Sequence, residues 1–170
     1  MVKIEEYFQI GDYTIKDGLI STGDNVKLIK KVKKLPVQFG HVGGSFSCYN
    51  NQLTSLVGCP ESVGDYFSCD KNQLISLEGA PKSVSGGFYC GNNKLTSLEG
   101  APKEVGGYFY CDWTENLPLL RLVRYKKIET YNNQVNTIIR KYSNHTPLKE
   151  AILLCQKELI DNGFVGNAAW

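Results

Sequence analysis

The apolar positions in the middle of the chain recur at a fixed interval of 21 residues. Phe46, Phe67, Phe88 and Phe109 form one column, with Cys48, Cys69, Cys90 and Cys111 two residues after them. Val42, Val63, Val84 and Val105 stand four residues before the phenylalanines. Asn51, Asn72 and Asn93 follow the cysteines, then come the leucine pairs Leu53/Leu56, Leu74/Leu77 and Leu95/Leu98. Gly58, Gly79 and Gly100, with Pro60, Pro81 and Pro102, close each unit. The unit reads V-x3-F-x-C-x2-N-x-L-x2-L-x-G-x-P.

One copy is too short to bury its own apolar side chains, whereas stacked copies bury a continuous core. The pattern therefore predicts an α/β, β-rich repeat solenoid. The F-x-C step has period two, so Phe and Cys point inward from a short strand. Successive strands pair in parallel and in register, about 4.8 Å apart. The Asn column is suited to satisfy buried turn backbone as an internal ladder. Gly and Pro turn the chain on the far side, where the leucines point inward.

Three segments follow: residues 1–41 as an N-terminal cap with a degenerate first coil, 42–116 as the repeats, and 117–170 as a helical cap. In the first, KIEEYF predicts a short helix and DYTIKDGLIS a hairpin turning at Asp17-Gly18. Val32, Leu35 and Val42 fall on repeat columns, but Asn25 and Lys27 stand where Phe and Cys belong. In the last, Thr114 and Asn116 break the Asn and Leu columns. A helical stripe is expected through Leu119, Leu122 and Val123 toward Lys126 or Lys127. QVNTIIRKY offers a second, through Val135, Ile138, Ile139 and Tyr142. A final helix is expected to be capped by Thr146, to carry Pro147 at its first position and to stop at Gly163. Its expected apolar face is Leu148, Ile152, Cys155, Leu159 and Ile160.

These residues resemble the leucine-rich repeat pattern, with Phe and Cys in two leucine slots. They resemble more closely repeat proteins encoded by tailed bacteriophages and prophages, which carry F-x-C-x-x-N-x-L-T-S-L-E-G-A-P arrays. The likeness includes Tyr13-Thr14-Ile15 with Asp17-Gly18, and the stretch from Gly163 to Ala168, so it spans nearly the whole chain. It implies a leucine-rich-repeat-like parallel sheet with an N-terminal β/α cap and a C-terminal helical cap. It also implies a phage origin and action in the cytoplasm of a bacterial host.

At 170 residues, with 19 basic and 17 acidic side chains, the chain is neither disordered nor fibrous in composition. No apolar run approaches the ~18 residues of a membrane helix. The start lacks an apolar leader core, so secretion is not expected. Residues 45–116 hold four Lys and eight acids, and residues 117–170 hold eight Lys or Arg and four acids.

The six cysteines include no C-x2-C pair, and His41 and His145 stand at no ligand spacing, so neither a metal nor a cofactor is expected. In a reducing cytosol the cysteine column reads as small hydrophobic packing. Cys155 lies on an apolar helix face, unlike a reactive thiol. The glycines of SGGFYCG and VGGYFYC lack the Lys-Ser/Thr of a phosphate loop. No catalytic signature is found, and an enzyme is not expected.

If Phe and Cys point inward, their neighbours point out. Ser45, Ser47, Tyr49, Tyr66, Ser68, Asp70, Gly87, Tyr89, Gly91, Tyr108, Tyr110 and Asp112 form that face, with Trp113 at its edge. Tyr and Trp give contact area at low entropic cost and dominate interface hot spots. The leading expectation is a host-protein-binding module using Tyr49, Tyr66, Ser68, Asp70, Tyr89, Tyr108, Tyr110, Asp112 and Trp113, and blocking its target, a defence factor among the candidates. Two alternatives stand beside it. One is nucleic-acid binding through Arg121, Arg124, Lys126, Lys127, Arg140 and Lys141, with Tyr125, Tyr131 and Tyr142 stacking on bases. The other is end-to-end self-assembly of coils.

Overall fold

A computed structural model describes residues 2–170. The N-terminal strands are β1 (Phe8–Ile10), β2 (Thr14–Lys16), β3 (Leu19–Thr22), β4 (Val26–Leu28) and β5 (Gln38–Val42). The repeats add β6 (Phe46–Ser47), β7 (Ser62–Val63), β8 (Phe67–Ser68), β9 (Ser83–Val84), β10 (Phe88–Tyr89), β11 (Glu104–Val105) and β12 (Phe109–Tyr110). The end of the chain holds β13 (Ile128–Glu129), α1 (Asn133–Tyr142) and α2 (Leu148–Asp161).

The coils build a parallel β-solenoid with two sheets. Sheet A runs β1-β4-β6-β8-β10-β12-β13, and sheet B runs β11-β9-β7-β5-β3-β2. The Phe columns pair in register, Phe46 with Phe67, Phe67 with Phe88 and Phe88 with Phe109. The expectation had one strand per coil. The Val column forms the second, with Val42 opposite Val63, Val63 opposite Val84 and Val84 opposite Val105.

Between the sheets, aromatic rings run through the core from Phe8 to Phe109 with neighbouring centroids 5.0–5.7 Å apart, edge to face at Phe8–Phe39–Phe46 and stacked from Phe46 to Phe109. Tyr125 closes the stack at 4.6 Å from Phe109, and its hydroxyl donates to the Pro102 carbonyl. The four column cysteines are buried and free, and three of them donate to the carbonyls of Ser68, Tyr89 and Tyr110 in the next coil.

The predicted Asn ladder forms at Asn72 and Asn93 but not at Asn51. Asn72 Oδ1 accepts the Leu53 N–H at 2.9 Å, while its Nδ2 donates to the Cys48 and Cys69 carbonyls at 2.9 Å. Asn93 repeats this one coil on. On the far side Gly58, Gly79 and Gly100 have φ of 99°, 87° and 82°. They sit at the third position of turns closed by Cys59, Ala80 and Ala101 N–H groups. A side chain would be strained there, which accounts for the Gly column.

The two ends depart from the period. Val26 pairs with Phe46 and Lys27 with Ser47, so Val26 and Leu28, not Asn25 and Lys27, fill the Phe and Cys slots. The spacing there is 20 residues, and the register of β3 on β5 shifts between Ile20 and Thr22. The Asp17-Gly18 hairpin forms, with both residues at positive φ.

After Cys111 the expected helical stripe is only a 3-10 turn, Leu120–Arg124. The chain then re-enters sheet A as β13, with Ile128 in the Phe slot opposite Phe109, while Lys126 and Lys127 are exposed. α1 buries Val135, Ile138 and Ile139. In α2 the residue at the N-cap is Pro147, not Thr146, and Leu148 and Ile160 are exposed. Its buried side is Ala151, Cys155 and Leu159. Gly163 ends it in a left-handed turn, with the Phe164 N–H reaching the Leu159 carbonyl and the Gly163 N–H the Ile160 carbonyl.

Candidate functional site: the outer face of sheet A

In-register pairing arranges the outward side chains of sheet A in rows. Before the phenylalanines run Ser45, Tyr66, Gly87 and Tyr108. Between Phe and Cys run Ser47, Ser68, Tyr89 and Tyr110, continued by Glu129. After the cysteines run Tyr49, Asp70, Gly91 and Asp112.

The tyrosines of the later coils touch one another. Ring centroids lie 6.4 Å apart for Tyr66–Tyr89, 6.3 Å for Tyr89–Tyr110 and 5.2 Å for Tyr110–Tyr131. Gly87 and Gly91 make room, because a Cβ on either would fall within 2.7 Å of the ring of Tyr89 or Tyr110. Tyr49, Tyr66 and Tyr108 are exposed, and Tyr89 and Tyr110 are half-buried along the ladder. Tyr131, expected only as a base-stacking residue of the tail, ends the ladder and is 73% exposed. Its positive φ places it beside Tyr110 just beyond β13. Burial of the Tyr110 hydroxyl, helped by its contact with Tyr131, raises its pKa.

Between the rings lie two carboxylates. Asp70 accepts from Ser68 Oγ at 2.9 Å and from the Gly91 N–H at 2.7 Å. Asp112 accepts from the Asn92 N–H. Burial lifts the Asp70 carboxyl above its ordinary value of 3.8; the hydrogen bonds from Ser68 and Gly91 oppose the shift, and the charge of Asp112 adds to it. Ser45 and Ser68 are buried rather than presented outward, and each donates to an aspartate, Ser45 to Asp65 and Ser68 to Asp70. Toward the N-terminal end the face opens into a polar concavity of about 820 Å³ between Gln9–Gly11 and Tyr49 and Tyr66.

Trp113 does not join this face. Its Nε1 donates to Asn167 Oδ1 at 3.0 Å and its ring meets Phe164 edge-on. Asn167 is fully buried and donates to the Thr114 and Leu117 carbonyls at 2.9 and 2.8 Å, pinning the cap to the last coil.

The basic residues of the tail divide: Arg124, Lys126 and Lys127 line one concavity beside β11, while Arg121, Arg140 and Lys141 are engaged elsewhere. Arg121 stacks on Trp170. Arg140 bonds the Ile128 carbonyl and Glu129, and Lys141 pairs with Glu158 at 2.6 Å. Lys127 stands 5.8 Å from the Tyr108 ring. Tyr125 is core, and Tyr142 bonds Glu158. No group of His, Cys, Asp and Glu among the described residues is arranged to hold a metal, and no helix among them is long and apolar enough to cross a membrane.

Comparison with family models, with curated proteins and with solved structures gives no match to the chain.

Proposed function

We propose that the chain is a non-enzymatic protein-binding module whose contact surface is the outer face of sheet A. The observation that carries this reading is the ladder Tyr66–Tyr89–Tyr110–Tyr131, flanked by exposed Tyr49 and Tyr108. Rings already held by their neighbours lose little freedom when a partner covers them, so more of the contact energy appears as affinity. Asp70 and Asp112 between the rings favour a partner that offers hydrogen-bond donors or positive charge. The resemblance to phage-encoded repeat proteins supports a target in a bacterial host's cytoplasm and a blocking role.

The test is affinity capture from nuclease-treated host lysate, with the wild-type chain beside Tyr66→Ala/Tyr89→Ala/Tyr110→Ala. A protein retained in stoichiometric amount by the wild type and lost by the folded variant is the expected result. Equal retention by both would rule the face out as the contact surface.

A further inference from the structure

Sheet B ends one strand earlier than sheet A. Along sheet B each coil's carbonyls accept N–H groups from the next coil. One ladder runs from Glu61 N–H to the Gly40 carbonyl, Lys82 to Glu61 and Lys103 to Lys82, at 2.7–2.8 Å. Another runs from Gly64 to Val42, Ser85 to Val63 and Gly106 to Val84, at 2.8–3.0 Å. The series stops at β11, where no donor among the described residues reaches the Lys103 or Val105 carbonyl. The segment that would supply the next strand turns away as Leu120–Arg124 and rejoins sheet A as β13. A concavity of about 570 Å³ remains between β11 and Arg124–Lys127.

The surroundings of this edge are basic. Lys103, Arg124 and Lys126 line it, and none has an ion-pair partner among the described residues. The Arg124 Nε–H is buried with no acceptor.

We propose that the β11 edge is a docking site for an extended acidic peptide segment of another protein, which adds to sheet B as its missing strand. Alternate N–H groups of an extended peptide repeat at about 6.6 Å, which suits the carbonyls of residues i and i+2 on the edge. Its carboxylates meet Lys103, Arg124 and Lys126. A nucleic-acid backbone suits the same place less well, because phosphate brings no donor to the free Lys103 and Val105 carbonyls. The site lies on the other sheet from the tyrosine ladder and is independent of it.

The probe is a pool of short peptides with Glu or Asp at alternate positions and Val, Ile, Thr or Tyr between. It is titrated into the full chain and read by the NMR signals of the Arg124 Nε–H and the Val105 and Gly106 amides. Saturable shifts at these groups are expected. Affinity should fall about 10-fold or more in Lys103→Glu/Lys126→Glu, and equally for peptides N-methylated at alternate amides, a loss that needs no change in the protein. Absence of saturation at millimolar peptide would overturn the proposal. So would undiminished binding of the N-methylated peptides, or tighter binding of oligothymidylate at the same signals, which would make the edge a phosphate site.

Discussion

The ring of Tyr110 lies where a side chain on Gly91 would stand, so that a Cβ built there falls 2.5 Å from Cε1. Gly91 is outside the left-handed region, and what it would meet is a side chain able to swing away. Gly91→Ala should therefore cost no more than about 1 kcal/mol by urea unfolding, while displacing Tyr110 and changing the near-ultraviolet circular dichroism. At Gly64 the new Cβ would lie 1.9 Å from the Gly43 carbonyl oxygen, which is backbone. Gly64→Ala should cost at least about 2 kcal/mol. Equal costs at the two sites would contradict the packing described for the face.

Asn72 and Asn51 occupy the same column but differ in what they satisfy. Asn72 makes four hydrogen bonds from a buried side chain. Asn51 makes one long contact, to the Tyr49 carbonyl at 3.4 Å, and its Oδ1 is buried without a donor. By the spacing of the ladder that donor would be the Val32 N–H, which lies in an irregular stretch of the first coil. Asn72→Ala should cost about 2–4 kcal/mol, since it strands buried backbone groups, and Asn51→Ala should cost at least about 1 kcal/mol less. Paired denaturation curves decide it.

Asp70 carries a pH signature opposite to that of an ion-paired carboxylate. Its pKa is raised in the folded chain, so between 3.8 and that raised value the folded state binds more protons than the unfolded state. Its contribution to stability is greatest at acid pH and falls as pH rises through that window. The difference in unfolding free energy between wild type and Asp70→Asn, followed from pH 3 to 7, should move in favour of the variant as pH rises. A difference that moves the other way would show that Ser68 and Gly91 outweigh burial.

All six cysteines are buried and free, and burial pushes the Cys155 thiol up to about 12. Ellman's reagent should react slowly with the native chain and fully with the unfolded one, under conditions where small thiols react at once. Fast labelling of any cysteine in the native state would mean that its coil opens.

The repeat was legible because each column places one side-chain type in one environment, and identical neighbours hold it in register. The Phe, Cys, Asn and Gly columns could all be read this way. The second sheet was not, because each of its repeat strands offers a single apolar position, Val63, Val84 or Val105, and one position shows no period. Where the spacing falls to 20 residues at Val26 and 19 at Ile128, counting by 21 misses the side chain that fills the slot. The helical stripe expected toward Lys126 or Lys127 passes Ile128 over. On the candidate face, alternation placed the tyrosines, but nothing local indicated that Trp113 would turn toward Asn167, 54 residues away, or that Tyr131 would return to the ladder.

The uneven spacing gives the molecule the character of a ruler with fixed ends. Interior coils share one backbone register, so gain or loss of one whole 21-residue unit would lengthen or shorten the face by about 4.8 Å and keep the strands in register. The end coils, at 20 and 19 residues, are fitted to their caps and cannot be exchanged for an interior one. Variation in reach is thus confined to whole steps in the middle of the chain, and the two ends keep their identity whatever the number of steps between them.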